Sequence, residues 1–243
     1  MKQMKDIVAL IPTPLTDEGK LDEKGLKNVI DFELNNGCTG VGVLAAIGES
    51  YLFDRAEWSA VIKAAVKHIN GFAPLMVGCP TMGTNPAVDL CKEAEELGAD
   101  AILAFNPQGF RTYSTAELIE HYRAITDAVK IAVSPYSRLE DPIPLSVLKA
   151  LVDEGRIPYM KYAWKNHVAL KEAATSFGDR ILIFCGADTL TLRYLILGCQ
   201  GVLTATAAML PKEHVELLAI FRSGDLDSAR AYLSVLLRIR TKS

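Results

Sequence analysis

The stretch Lys92–Pro107 reads KEAEELGADAILAFNP. An amphipathic helical pattern runs into Gly98, where a glycine can close a helix. Three residues later Ala101–Phe105 is a short, continuous apolar run, the pattern of a parallel strand covered on both faces. The same joint recurs. Gly37-Cys-Thr-Gly-Val and Gly198-Cys-Gln-Gly-Val also lead from a helical segment into an apolar run. A chain that reuses one αβ joint stacks one supersecondary unit.

Extended in both directions, the pattern predicts eight strands: Ile7–Ile11, Gly40–Leu44, Leu75–Gly78, Ala101–Phe105, Ile131–Ser134, Tyr159–Lys161, Ile181–Cys185 and Val202–Ala205. Amphipathic segments separate them. Asp54 with Glu57, and Ser114 with Glu117, have capping-box spacing. Asn85-Pro86 reads as an N-cap followed by Pro at the first helical position. Eight β/α units without a linker predict one (β/α)₈ TIM barrel domain over residues 1–243, close to the ~250 residues typical of that fold. A doubly wound open sheet shares the local pattern, but no G-x-G-x-x-G opens the first helix.

Composition narrows the function. Half of the 243 residues are hydrophobic and the formal net charge is −3. There is no basic footprint for nucleic acid or an anionic membrane, and no apolar run nears the ~20 residues of a membrane span. Pro12 and Pro14 interrupt the apolar N-terminus and no small-residue cleavage site follows, so no signal peptide is expected. Five scattered cysteines without C-x-x-C spacing read as reduced core thiols, consistent with a cytoplasmic protein. Four histidines in helical segments lack metal-ligand spacing, and no metal or cofactor is expected.

In a barrel of this type the active site lies at the C-terminal ends of the strands. That selects Thr13, Glu49, Ser50, Thr81, Asn106, Gln108, Tyr136, Arg138, Lys161, Asp188, Thr204 and Thr206. Lys161 stands out, set among apolar and aromatic residues in IPYMKYAW. At the ordinary lysine pKa of ~10.4, fewer than one amine in a thousand is neutral at pH 7. Burial disfavours the ammonium, and lowering the value to about 7 corresponds to roughly 4 kcal/mol. A neutral amine can form an imine with a 2-oxo acid; the alternative is a lysine ion-paired at the barrel mouth. Arg138 suits a carboxylate, or is a solvated loop cation. Asp188 reads most simply as the N-cap of a helix Thr189–Leu197. Glu49 either orients its loop or pairs with a nearby cation.

At these residues the chain resembles the dihydrodipicolinate synthase/N-acetylneuraminate lyase family of pyruvate-dependent class I aldolases. The resemblance runs from Val8 to about Leu236. It rests on ALIPTPLTDEGKLDEKGL, VLAAIGESYLFDRAEW, KEAEELGADAILAFNP, SPYSR, YMKYA, CGADTLTLRYLILGCQGVL and a helix led by Pro211. It implies a lyase or synthase acting on a small 2-oxo acid, with Lys161 as the imine lysine and Arg138 toward a second substrate's carboxylate. It also implies that Gly186 and Leu203 line the imine pocket and that backbone N–H groups at Ala46 and Ile47 receive the acid's carboxylate, with Gly48 and Glu49 completing that loop.

Departures accompany it. Ala46 and Ile47 replace paired hydroxyl residues, Val133 aligns with the usual proton-carrying tyrosine, Gln108 replaces a second tyrosine, and Tyr162 replaces the Asp after the lysine. Tyr136 is the candidate substitute proton carrier. The competing function is a catalytically weak paralogue that binds a 2-oxo acid as a sensor or partner module. Family chains continue into a longer helical extension, so a shortened extension and some homo-oligomer are expected here.

Overall fold

The computed structural model describes residues 2–109 and 112–240. Strands β1 (Ile7–Leu10), β2 (Gly40–Val43), β3 (Leu75–Cys79) and β4 (Ala101–Ala104) alternate with helices α1 (Glu23–Asn35), α2 (Arg55–Ile69) and α3 (Thr84–Glu96). Helix α4 (Thr115–Ala128) leads to β5 (Ala132–Ser137), α5 (Leu145–Asp153), β6 (Tyr159–Tyr162) and α6 (His167–Phe177). The last units are β7 (Leu182–Cys185), α7 (Thr191–Leu197), β8 (Gly201–Thr204) and α8 (Pro211–Arg222), followed by α9 (Leu226–Arg240).

The pairings among β1–β8 are parallel, and the sheet closes because β1 pairs with both β2 and β8: Val8 lies opposite Gly40 on one side and Leu203 on the other. Alternation along the strands sorts the side chains into two layers. Val8, Leu10, Met76, Leu103, Phe184 and Leu203 fill the interior. Ile7, Val41, Val77, Ile102, Val133 and Ile183 pack outward beneath the helices. Met4 closes the N-terminal end, where its backbone N–H donates to the Tyr159 hydroxyl at 3.1 Å. No helix among the described residues is long and apolar enough to cross a membrane.

Both capping boxes form, at Asp54/Glu57 and Ser114/Glu117. The repeated joint has a backbone cause: Gly37, Gly98 and Gly198 all take positive φ, at 93°, 102° and 122°, where other residues are strained. Asn85 is not an N-cap. Gly83 holds that place and α3 starts at Thr84. Pro86 is then the third helical residue, where its missing N–H costs nothing because first-turn donors are free anyway.

One buried group works against stability. Glu33 on α1 is fully buried; among the described residues one carboxyl oxygen has no partner and the other is reached only by the Cys38 thiol at 3.5 Å. Burial raises its pKa from 4.5 to about 7. The folded state therefore holds this proton more tightly than the unfolded chain, and stability falls as pH rises from 4.5 to 7. Glu33→Gln should be more stable than the parent at pH 8 by as much as about 3 kcal/mol, with the difference gone at pH 4. Urea unfolding at the two pH values checks this, and an equal difference at both contradicts it.

Candidate active site

Lys161 sits where strand alternation turns it inward. Its neighbours Met160 and Tyr162 belong to the outer layer, and Tyr159 and Lys161 face the interior. Sheet register sets Lys161 between Tyr136 on β5 and Phe184 on β7. It is 4% exposed. Its Nζ lies 3.9 Å from the centre of the Tyr136 ring, and that ring meets Phe105 edge-on at 5.4 Å. Among the described residues no hydrogen bond or salt bridge reaches Nζ, so the ion-paired alternative does not hold. Burial lowers its pKa from 10.5 to about 7; Asp188 and Cys185 oppose that shift and Arg138 adds to it.

The amine has room because of Gly186, immediately after β7. A Cβ there would lie 2.7 Å from Lys161 Cε, 2.9 Å from Cγ and 3.2 Å from the Ala163 methyl. Leu203 on β8 is fully buried in the same interior.

Two loops shape the mouth. After β2, Ala46–Gly48 forms a short 3₁₀ turn flanked by Leu44 and Glu49, both left-handed at φ 56° and 52°. Thr13 braces the turn through a 2.8 Å hydrogen bond to the Gly48 carbonyl. Ala46 and Ile47 are exposed, and their backbone N–H groups have no acceptor among the described residues. Among the described residues Glu49 forms no ion pair; its backbone carbonyl accepts from Leu52 N at 2.9 Å. On the other side, Arg138 donates to Gln108 Oε1 at 3.0 Å and pairs with Glu140 at 3.6 Å. These three residues, with Asn106, Tyr113 and Asp141, help line a cavity of about 450 Å³ between the loops after β4 and β5.

Asp188 corrects the sequence reading. A 3₁₀ turn, Asp188–Leu190, precedes α7, which begins at Thr191 with no side-chain cap. The Asp188 carboxylate instead accepts a hydrogen bond from the Thr206 hydroxyl, and its backbone carbonyl accepts from Thr191 Oγ1 at 3.0 Å. β5 also reaches further than expected, so Tyr136 lies within the strand. Val133 points outward while Ser134 is buried facing inward, its hydroxyl unpartnered. Gln108 as the partner of Arg138, and the pressure of Gly186 on Lys161, were not visible in the sequence. No cluster suited to a metal ion occurs among the described residues.

The model of the dihydrodipicolinate synthetase family matches residues 3–243. The 4-hydroxy-tetrahydrodipicolinate synthase of Pelobacter propionicus is 32% identical over 235 residues, covering 95% of this chain and 80% of that protein. The dihydrodipicolinate synthase of Aquifex aeolicus superposes with a TM-score of 0.92 at 27% identity, over 97% of this chain and 81% of that one. YagE, an E. coli K12 prophage protein solved in complex with pyruvate, gives a TM-score of 0.90 at 25% identity, over 98% and 82%. In sequence over its whole length and in barrel topology, the chain belongs to the dihydrodipicolinate synthetase family.

Proposed function

We propose that this chain is a Schiff-base-forming lyase or synthase whose Lys161 condenses with the ketone of pyruvate or another small 2-oxo acid. The observation that carries the reading is a buried amine, unpaired among the described residues, whose pKa is lowered to about 7. An amine in that state is a nucleophile at neutral pH, which an ordinary lysine is not. The pyruvate held by the prophage relative supports the choice of acid.

The neutral Nζ attacks the ketone carbon to give a carbinolamine. Loss of water leaves a protonated imine, which withdraws electrons from the neighbouring carbons and allows a C–C bond to form or break. The chemistry needs no resident cofactor. The free N–H groups of Ala46 and Ile47 suit the acid's carboxylate, since backbone donors survive the loss of the side-chain hydroxyls. Gly186 gives the amine its path and Leu203 adds an apolar wall. The Tyr136 ring lies against Nζ with its π-face, which favours the cationic imine. Arg138 and the cavity beside it form the second-substrate side.

The test is borohydride reduction in the presence of pyruvate, followed by peptide mass spectrometry across a pH series. A reduced adduct on Lys161 is expected, with an initial trapping rate that rises through pH 7 and levels off by about pH 9. No adduct on Lys161 ends the proposal, and a rate still climbing past pH 10 rules out the lowered pKa. Turnover with a panel of aldehydes separates an enzyme from a binding module, which would trap the acid and release no product.

A further inference from the structure

Imine chemistry needs a group that removes a proton from the carbon next to the imine and later returns one. The side chains at Ala46, Ile47 and Val133 cannot, and Val133 also points away from the interior. Burial raises the Tyr136 phenol above its ordinary range, which keeps it protonated at neutral pH, and it offers Nζ its ring face. Glu140 is committed to Arg138.

Asp188 is differently placed. β7 is hydrogen-bonded to β6, and the segment leaving it passes close to Lys161: a Cβ on Gly186 would stand 2.7 Å from Lys161 Cε, and Asp188 follows two residues later. One carboxylate oxygen is held by Thr206, which is 5% exposed on the short turn after β8. The other oxygen has no hydrogen bond, and no salt bridge reaches the carboxylate, among the described residues. The charges and titratable groups that interact with it are Lys161, Tyr136, Cys185 and His214.

We propose that Asp188, oriented by Thr206, is the base that takes a proton from the methyl carbon of the Lys161–pyruvate imine and the acid that returns it. The inference rests on the imine reading above. In the forward direction the free carboxylate oxygen accepts the methyl proton. The C–H electron pair forms the C=C bond of an enamine, and the C=N pair moves onto nitrogen. When the enamine carbon attacks an aldehyde, the new alkoxide takes the proton back from the carboxylic acid. Protons and charge balance, and no oxidant or further reactant is needed. In such a site general acid–base help is worth about 10²–10⁴ in rate.

Exchange of the pyruvate methyl protons in D₂O, followed by ¹H NMR, reads the proton step alone, and borohydride trapping reads imine formation alone. The parent protein should do both. Asp188→Asn should still trap pyruvate within a few-fold while losing exchange by about 10²-fold or more. Thr206→Val, which keeps the carboxylate but frees it, should slow exchange more than trapping. Exchange at the parent rate in Asp188→Asn overturns the inference, as does a parent that traps pyruvate without exchanging its protons. Equal loss of trapping and exchange in both Asp188→Asn and Thr206→Val also overturns it, since that is what a structural role predicts. A parent that fails to trap pyruvate overturns the imine reading itself.

Discussion

Lys161→Met should yield a folded barrel that forms no borohydride-stable adduct, has lost essentially all turnover, and unfolds at a higher temperature than its parent. The two effects share one cause. The folded chain holds this amine at a pKa of about 7 rather than 10.5. Below pH 7 the buried ammonium is a full penalty, corresponding to as much as about 5 kcal/mol. Between 7 and 10.5 the unfolded chain binds the proton and the folded chain does not, so stability rises with pH across that window. Methionine has a similar shape and no charge, so it removes the penalty along with the nucleophile. Its stability gain should be largest near pH 6 and shrink toward pH 10. An inert but destabilised variant contradicts this account of how the fold pays for its nucleophile.

The second large effect is expected at Gly186→Ala. The added methyl would stand 2.7 Å from Lys161 Cε and 2.9 Å from Cγ. Those atoms belong to a flexible side chain, so the strain is relieved by moving the lysine rather than the barrel. A displacement on the order of 1 Å at a reacting group costs about 10²-fold in rate. Both kcat/KM and the rate of pyruvate trapping should fall by that factor, while the unfolding midpoint shifts by only a few degrees. Trapping at the parent rate would show that the amine tolerates the methyl and that Gly186 does not set its position.

The architecture was legible because three αβ joints carry the same local demand, a positive-φ glycine before a run of apolar residues, which Gly37, Gly98 and Gly198 meet. Lys161 was legible for a related reason: a charged residue inside an apolar strand is an anomaly that period-two alternation turns into a position. Errors came where a local signal has two structural outcomes. Asp188 and Asn85 have good N-cap chemistry, but a 3₁₀ turn and an earlier helix start took those places. The fifth strand, predicted to end at Ser134, runs on through Pro135 to Ser137. Pro135 lies opposite Ala104, the last residue of β4, where that ladder finishes and a missing N–H costs little. The contacts of Gly186 with Lys161, of Gln108 with Arg138 and of Thr206 with Asp188 join residues 18 to 30 positions apart. Only closure of the barrel brings them together.

A crystal soaked with pyruvate tests the central claim most directly. The account predicts continuous density from Lys161 Nζ to the ketone carbon, with the acid's carboxylate toward the backbone of Ala46 and Ile47. An unmodified lysine side chain in the fully soaked crystal, with pyruvate absent or bound elsewhere, would contradict it.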